Sequence, residues 1–173
     1  MCLQLRARGV GVRGILLIDA PDPITHVPLS ESVINSVINL DSLGRVTEMK
    51  RLIKMQFTMN TEMMDSYRPR SMDTACPPMI YLRSREGFCH PDIPDIPHWL
   101  SDRDDRNSAT NGWRTLTSAP LLTLDIPGHH FSPFHITNVS LAINYRRRST
   151  HIGLKVEEVS AVMRQALEWL EKS

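Results

Sequence analysis

Apolar positions along the chain fall into three short runs of strand length separated by stretches with helical spacing. Ile15, Leu16, Leu17 and Ile18 form an unbroken apolar run of strand length, as expected for a strand buried on both faces in a parallel sheet. Pro21 and Pro23 forbid its continuation. Before it, LQLRARG at 3–9 reads as the last turns of a helix. Leu3 and Ala7 share a face, Arg6 and Arg8 suit the negative end of the helix dipole, and Gly9 or Gly11 terminates it. Between residues 29 and 40, Leu29, Val33, Ile34, Val37 and Ile38 recur at helical spacing with Ser30 as N-cap. A longer helical pattern spans about 46–67, with Met49, Ile53, Phe57 and Met64 on one face and Leu52, Met59 and Met63 beside it. Such a methionine-rich stripe reads as core, because unbranched thioethers fill irregular space; the alternative is a mobile lid over an acyl pocket.

A second buried strand is expected at 79–83, after Cys76-Pro77-Pro78. Residues 84–111 show little periodicity and much Pro, Asp and Gly, so they read as a long surface loop anchored by Trp99 and Leu100. Loops longer than about 15 residues in compact domains are often functional. A short helix at 112–118 and a third strand at 121–126 follow, the strand ending at Pro127-Gly128. Residues 156–170 carry Val159, Val162, Met163, Ala166, Leu167 and Leu170 on one helical face. Strands alternating with helices define an α/β fold. Three parallel strands with so few covering helices make a poor independent sheet, so the sheet is expected to continue in residues preceding Met1.

Composition narrows the class. A chain of 173 residues with 41% hydrophobic residues suffices for one domain with a core, and a formal charge of +1 gives no reason to expect nucleic acid or an acidic lipid surface as partner. The basic run Arg146, Arg147 and Arg148 has no interleaved aromatic residues and reads as a solvated face. Cys2, Cys76 and Cys89 are odd in number and widely spaced, which argues against a disulfide framework and a zinc ribbon and points to a reducing, cytoplasmic setting. Nothing near Met1 reads as a signal peptide, and no run approaches the roughly 18 apolar residues of a membrane span. Asn138-Val139-Ser140 matches a glycosylation acceptor by coincidence in such a chain.

Two strand ends carry the candidate chemistry. The first closes on Asp19 and the last on His129 and His130, and loops after strands of open parallel sheets are where ligands bind. A buried carboxylate accepting the imidazole Nδ1 proton fixes the tautomer of a general base, and in α/β hydrolases the acid precedes the histidine in chain order. On spacing alone, Asp19 reads equally as a turn cap before Pro21, either histidine could be the base, and Glu86 after the second strand is a rival acid. His26, His90, His98, His135 and His151 look like scattered surface residues without metal-ligand spacing. Asp102, Asp104 and Asp105 form an acidic loop run read as a solvated face. No Gly-x-Ser-x-Gly occurs anywhere in the chain.

Taken together, LQLRARG, RGILLIDAPDPI, HVPLSESVINSVINL, MIYLRSREGF and IPGHHFSPF resemble the C-terminal two-thirds of a type I thioesterase domain. The likeness is to the release domains of fungal nonribosomal-peptide-synthetase-like enzymes and polyketide synthases, and it covers most of residues 3–138. Its most specific pieces are the Leu-Ile-Asp-x-Pro and Gly-x-His-Phe turns. The resemblance implies a partial α/β-hydrolase fold in which Asp19 is the triad acid, His130 the general base, and residues 29–67 the helical lid that shapes the acyl pocket. It implies no bound cofactor and no metal. The partners it implies are an acyl or peptidyl carrier protein, presenting a phosphopantetheine-bound acyl thioester, and the acyl chain itself. Serine and oxyanion hole are then expected upstream of LQLRARG, so residues 1–173 form a single incomplete domain without turnover of its own. Residues 139–153, VSLAINYRRRSTHIG, depart from the family pattern and read as an insertion, translated intron sequence in a gene model whose Met1 is a misplaced start.

Overall fold

A computed structural model describes residues 2–39, 48–69, 76–105, 107–132 and 150–172. Its strands β1 (Ile15–Ile18), β2 (Met79–Ser84) and β3 (Leu121–Ile126) are parallel and lie side by side in chain order. Parallel neighbours need crossover connections, and helices supply them. Helices α2 (Glu31–Asn39) and α3 (Glu48–Ser66) lie between β1 and β2, while α4 (His98–Ser101) and α5 (Ser108–Leu116) lie between β2 and β3. Helix α1 (Cys2–Ala7) precedes the sheet and ends at Gly9, whose φ of 77° is left-handed; α6 (Thr150–Lys172) follows the sheet.

Every residue of the central strand β2 is buried. Because side chains alternate across a strand, Ile80 and Leu82 turn to one face and Tyr81 and Arg83 to the other. Ile80 and Leu82 join Ile126 and Ala166, and α6 closes this layer with Val159, Val162, Met163, Trp169 and Leu170. Removing each of the two strand side chains from water contributes about 1.5–3 kcal/mol. A second core gathers Val33, Phe88, Ile93 and Leu100, with Leu29, Val37, Ile96, Trp99 and Phe131 packed on it. It ties α2 to the segment after β2 and to the loop after β3.

The structure corrects several sequence expectations. Residues 84–111 are not a simple surface loop, since Phe88, Ile93 and Leu100 are core residues there. Their irregular spacing hides the burial from any periodicity test. Helix α5 begins at Ser108, four residues before the expected start at Gly112. That glycine sits inside the helix because the Asp22 carboxylate occupies the place of a side chain: a Cβ there would lie 2.2 Å from Asp22 Oδ1, and Asp22 Oδ2 accepts the Gly112 N–H at 2.7 Å. Strand β1 is not buried on both faces, since Leu16 is 36% exposed and, among the described residues, β1 pairs with β2 alone. The core reading of the methionine stripe fails as well, because Met49, Met59 and Met63 are 65%, 49% and 64% exposed on α3. Of the stretch read as an insertion, 150–153 open α6 and 139–149 lie outside the described residues, as do Arg146, Arg147, Arg148 and His135. Among the described residues no helix is long and apolar enough to cross a membrane.

Candidate active site

Asp19 is the first residue past β1. Its N–H donates to the Leu82 carbonyl at 2.7 Å, extending the ladder by one bond, and its φ of 43° then turns the chain sharply. Aspartate tolerates this left-handed region better than most residues, and backbone strain of this kind concentrates at functional sites. Tyr81, buried in β2, donates its hydroxyl to the Ala20 carbonyl at 2.6 Å and pins the turn. Burial, followed by the charge of Asp19, pushes the Tyr81 phenol well above its ordinary pKa, so it remains a donor.

The Asp19 side chain is 1% exposed and surrounded by donors. Oδ1 accepts the Ser84 N–H at 3.0 Å and Arg103 Nη1 at 3.0 Å. Oδ2 accepts Arg103 Nη2 at 2.9 Å and faces His130 Nδ1 at 2.9 Å. An ionised carboxylate offers about four acceptor sites, and all are used. Burial alone would raise the Asp19 pKa. The hydrogen bond to His130, the Arg103 charge and the Ser84 N–H outweigh it, so the group lies below the usual carboxylate range.

His130 sits on the loop after β3. Gly128, at φ 87°, turns that loop, and a Cβ on it would lie 2.8 Å from Ser132 Cβ. Glu86 clamps the same turn: its Oε1 accepts the Gly128 N–H and its own N–H donates to the Gly128 carbonyl, both at 3.0 Å. The His130 ring is held edge-on between Trp99 and Phe131, at centroid distances of 5.3 and 4.8 Å, which leaves its side chain 21% exposed. With an acceptor-only carboxylate at Nδ1, that nitrogen carries the proton and Nε2 has the free lone pair of a base.

Of the two adjacent histidines, His130 faces the acid, while His129 packs its ring against Phe88 at 5.4 Å and accepts the Phe131 N–H at Nδ1. Of the two carboxylates weighed, Asp19 receives the imidazole and Glu86 fixes the histidine turn. His26 is not a loose surface residue: its Nδ1 is buried and its ring lies against Trp99 at 5.8 Å, on a cavity of about 240 Å³ also lined by Asp22, Tyr81 and Arg103. Burial, only partly offset by the charges of Asp65 and Asp22, lowers its pKa. Sequence reasoning missed Arg103 altogether. The one available signal was an arginine inside the acidic run 102–105, where Asp102, Asp104 and Asp105 are exposed and Arg103 turns inward. Among the described residues, no three His, Cys, Asp or Glu side chains gather as metal ligands.

No protein-family model matches the chain. It is 33% identical over 147 residues to an orsellinic acid synthase of Armillaria ostoyae, covering 81% of this chain and 7% of that protein. An orsellinic acid synthase of Beauveria bassiana is 32% identical over 168 residues, covering 79% of this chain and 8% of the relative. The chain thus spans less than a tenth of the length of the curated relatives it matches. Among solved structures, a four-domain nonribosomal peptide synthetase bound to AMP and glycine overlays 84% of this chain and 13% of its own, at 17% identity and a TM-score of 0.50. The surfactin thioesterase domain overlays 86% of this chain and 62% of its own, at 17% identity and a TM-score of 0.48. The parallel sheet with helical crossovers has part of the α/β-hydrolase fold, with a carboxylate and a histidine meeting at its strand ends. Over about four-fifths of its length the chain is similar to short segments of two fungal orsellinic acid synthases.

Proposed function

We propose that this chain is the acid and base portion of a thioesterase that releases a polyketide or peptide-like acyl chain from a phosphopantetheinyl carrier protein. The observation carrying the reading is the 2.9 Å contact between Asp19 Oδ2 and His130 Nδ1. The nucleophilic serine comes from outside this chain, which lacks Gly-x-Ser-x-Gly. In the first half-reaction the serine oxygen attacks the thioester carbonyl while His130 Nε2 takes its proton. The imidazolium, stabilised by Asp19, then protonates the departing thiolate, which leaves as the free phosphopantetheine thiol. In the second half-reaction His130 deprotonates water or a nucleophile of the acyl chain, and the serine leaves with the returned proton. No bound cofactor is required. Such an enzyme works in the cytoplasm, where carrier-bound intermediates are made.

The test is acyl-thioester hydrolysis by this chain and by a longer protein extended upstream through a serine elbow. Turnover in the longer protein only, falling by roughly three orders of magnitude or more in His130→Ala, is the expected result. Equal inactivity of both supports the competing reading, a non-catalytic hydrolase-fold remnant that binds a partner through the exposed methionines of α3.

A further inference from the structure

We propose that Arg103 is a positioning residue, locking the Asp19 carboxylate in the one orientation that presents Oδ2 to His130; the inference rests on the acyl-transfer reading. The terminal torsion of an aspartate is broad, so a carboxylate held only by its histidine can swing out of the imidazole plane. A guanidinium bonded to both oxygens removes that freedom, because its two parallel N–H groups define a plane. Here the fork is complete, at 3.0 and 2.9 Å, with the two side chains 7% and 1% exposed. Arg103 is itself anchored. Its carbonyl accepts Arg83 Nη1 at 2.8 Å, and Arg83 Nε donates to Asp125 Oδ1 at 2.9 Å on the neighbouring strand. The chain of contacts therefore runs from rigid sheet through a loop arginine to the acid.

Charge alone does not account for this arrangement. The Arg103 charge helps keep Asp19 ionised, but it also offsets part of the attraction between Asp19 and a protonated His130. Geometry remains. Lysine keeps the charge but is a point donor that cannot hold a plane, so Arg103→Lys separates the two roles.

Two measurements test this. In the upstream-extended protein, with the butyryl thioester of N-acetylcysteamine as substrate, Arg103→Lys and Arg103→Met should both lower kcat about 10- to 100-fold and leave KM within about 2-fold. In the 173-residue chain labelled at histidine, the downfield Nδ1 proton of His130 should broaden or move upfield in both variants. Full recovery of kcat and of the proton signal by lysine overturns the positioning role, and so does an unchanged signal in Arg103→Met. If the wild-type extended protein does not hydrolyse the thioester, the acyl-transfer reading fails, while the proton signal still decides the orientation question. Should both variants unfold, Arg83→Met, which frees the Arg103 carbonyl together with the Asp125 carboxylate and leaves the fork to Asp19 in place, must shift the same resonance.

Discussion

Replacing Asp19 by asparagine keeps the shape of the side chain and reverses the chemistry of one of its ends. Four donors converge on the carboxylate: the Ser84 N–H, two arms of Arg103 and His130 Nδ1. An amide oxygen can serve two of them. With the oxygen in the Oδ1 position, the new NH2 group meets one arm of Arg103 and forces His130 to accept at Nδ1, the wrong tautomer for a base. With the amide flipped, it meets the Ser84 N–H and the other arm. In either pose a guanidinium that is 7% exposed loses one of its two charge-assisted bonds and its counter-charge. Charge-assisted bonds contribute about 1.5–3 kcal/mol each and an orphaned buried charge costs about 3–5 kcal/mol, so a loss near 3 kcal/mol is expected. For a chain of this size that corresponds to a fall in Tm of about 6–12 °C, read by circular dichroism. The effect should depend on pH. Because the folded pKa of Asp19 is depressed, its contribution is fully present above the unfolded value of 3.8 and disappears as pH falls through the lower folded value. Wild type and Asp19→Asn should therefore differ at pH 7 and converge in acid. In the upstream-extended protein the same change should lower kcat by about 10⁴-fold, through the tautomer. A Tm within about 2 °C of wild type at pH 7 would refute the four-donor site.

The rival carboxylate should behave differently. Glu86→Gln retains an oxygen for the Gly128 N–H and should leave thioester hydrolysis within about 3-fold, whereas Glu86→Ala strands that buried donor at about 1–3 kcal/mol, measured by urea denaturation. A larger activity loss in Glu86→Gln than in Asp19→Asn would reverse the assignment of the acid. Gly128→Ala places a side chain at φ 87° and against Ser132, so a loss of about 1–2 kcal/mol with reduced hydrolysis is expected, and wild-type behaviour in both assays would rule out the tight turn. Tyr81→Phe removes the donor to Ala20 and should lower the urea midpoint by the equivalent of about 1 kcal/mol with an unchanged slope; a shifted slope would mean that more than this bond was lost.

Short apolar-rich runs were the most legible feature of the chain. All three strands fall where 15–18, 79–83 and 121–126 place them, to within one residue, because runs of strand length bounded by proline, glycine and polar residues mark strands whatever covers them. What periodicity could not show is burial achieved without it. Phe88, Ile93 and Leu100 enter the core from an irregular, proline-rich segment, and Gly112 sits mid-helix only because Asp22, 90 residues away, fills its side-chain space. The methionines of α3 illustrate the converse, since apolar spacing gives a helix face but not what covers it. In the site, Asp19 and His130 were legible as strand-end residues. Arg103 was not, because nothing local separates an inward arginine from its outward acidic neighbours.

The meeting of Asp19 with His130 follows from the sheet itself. Strands β1 and β3 are separated by β2, so their axes lie about 9.6 Å apart, at roughly 4.8 Å per step, too far for a side-chain hydrogen bond straight across. Two turns close the gap over the end of β2. On one side, the left-handed backbone of Asp19 sends its carboxylate across the strand end, where the Ser84 N–H donates to it. On the other, the Gly128 turn, clamped by Glu86 two residues past β2, folds the histidine loop back toward the same point. The central strand thus supplies both the spacer and the fixings, Ser84 for the acid and Glu86 for the base. A strand order placing β1 at a further remove from β3 would add another 4.8 Å or so, and neither turn could make it up.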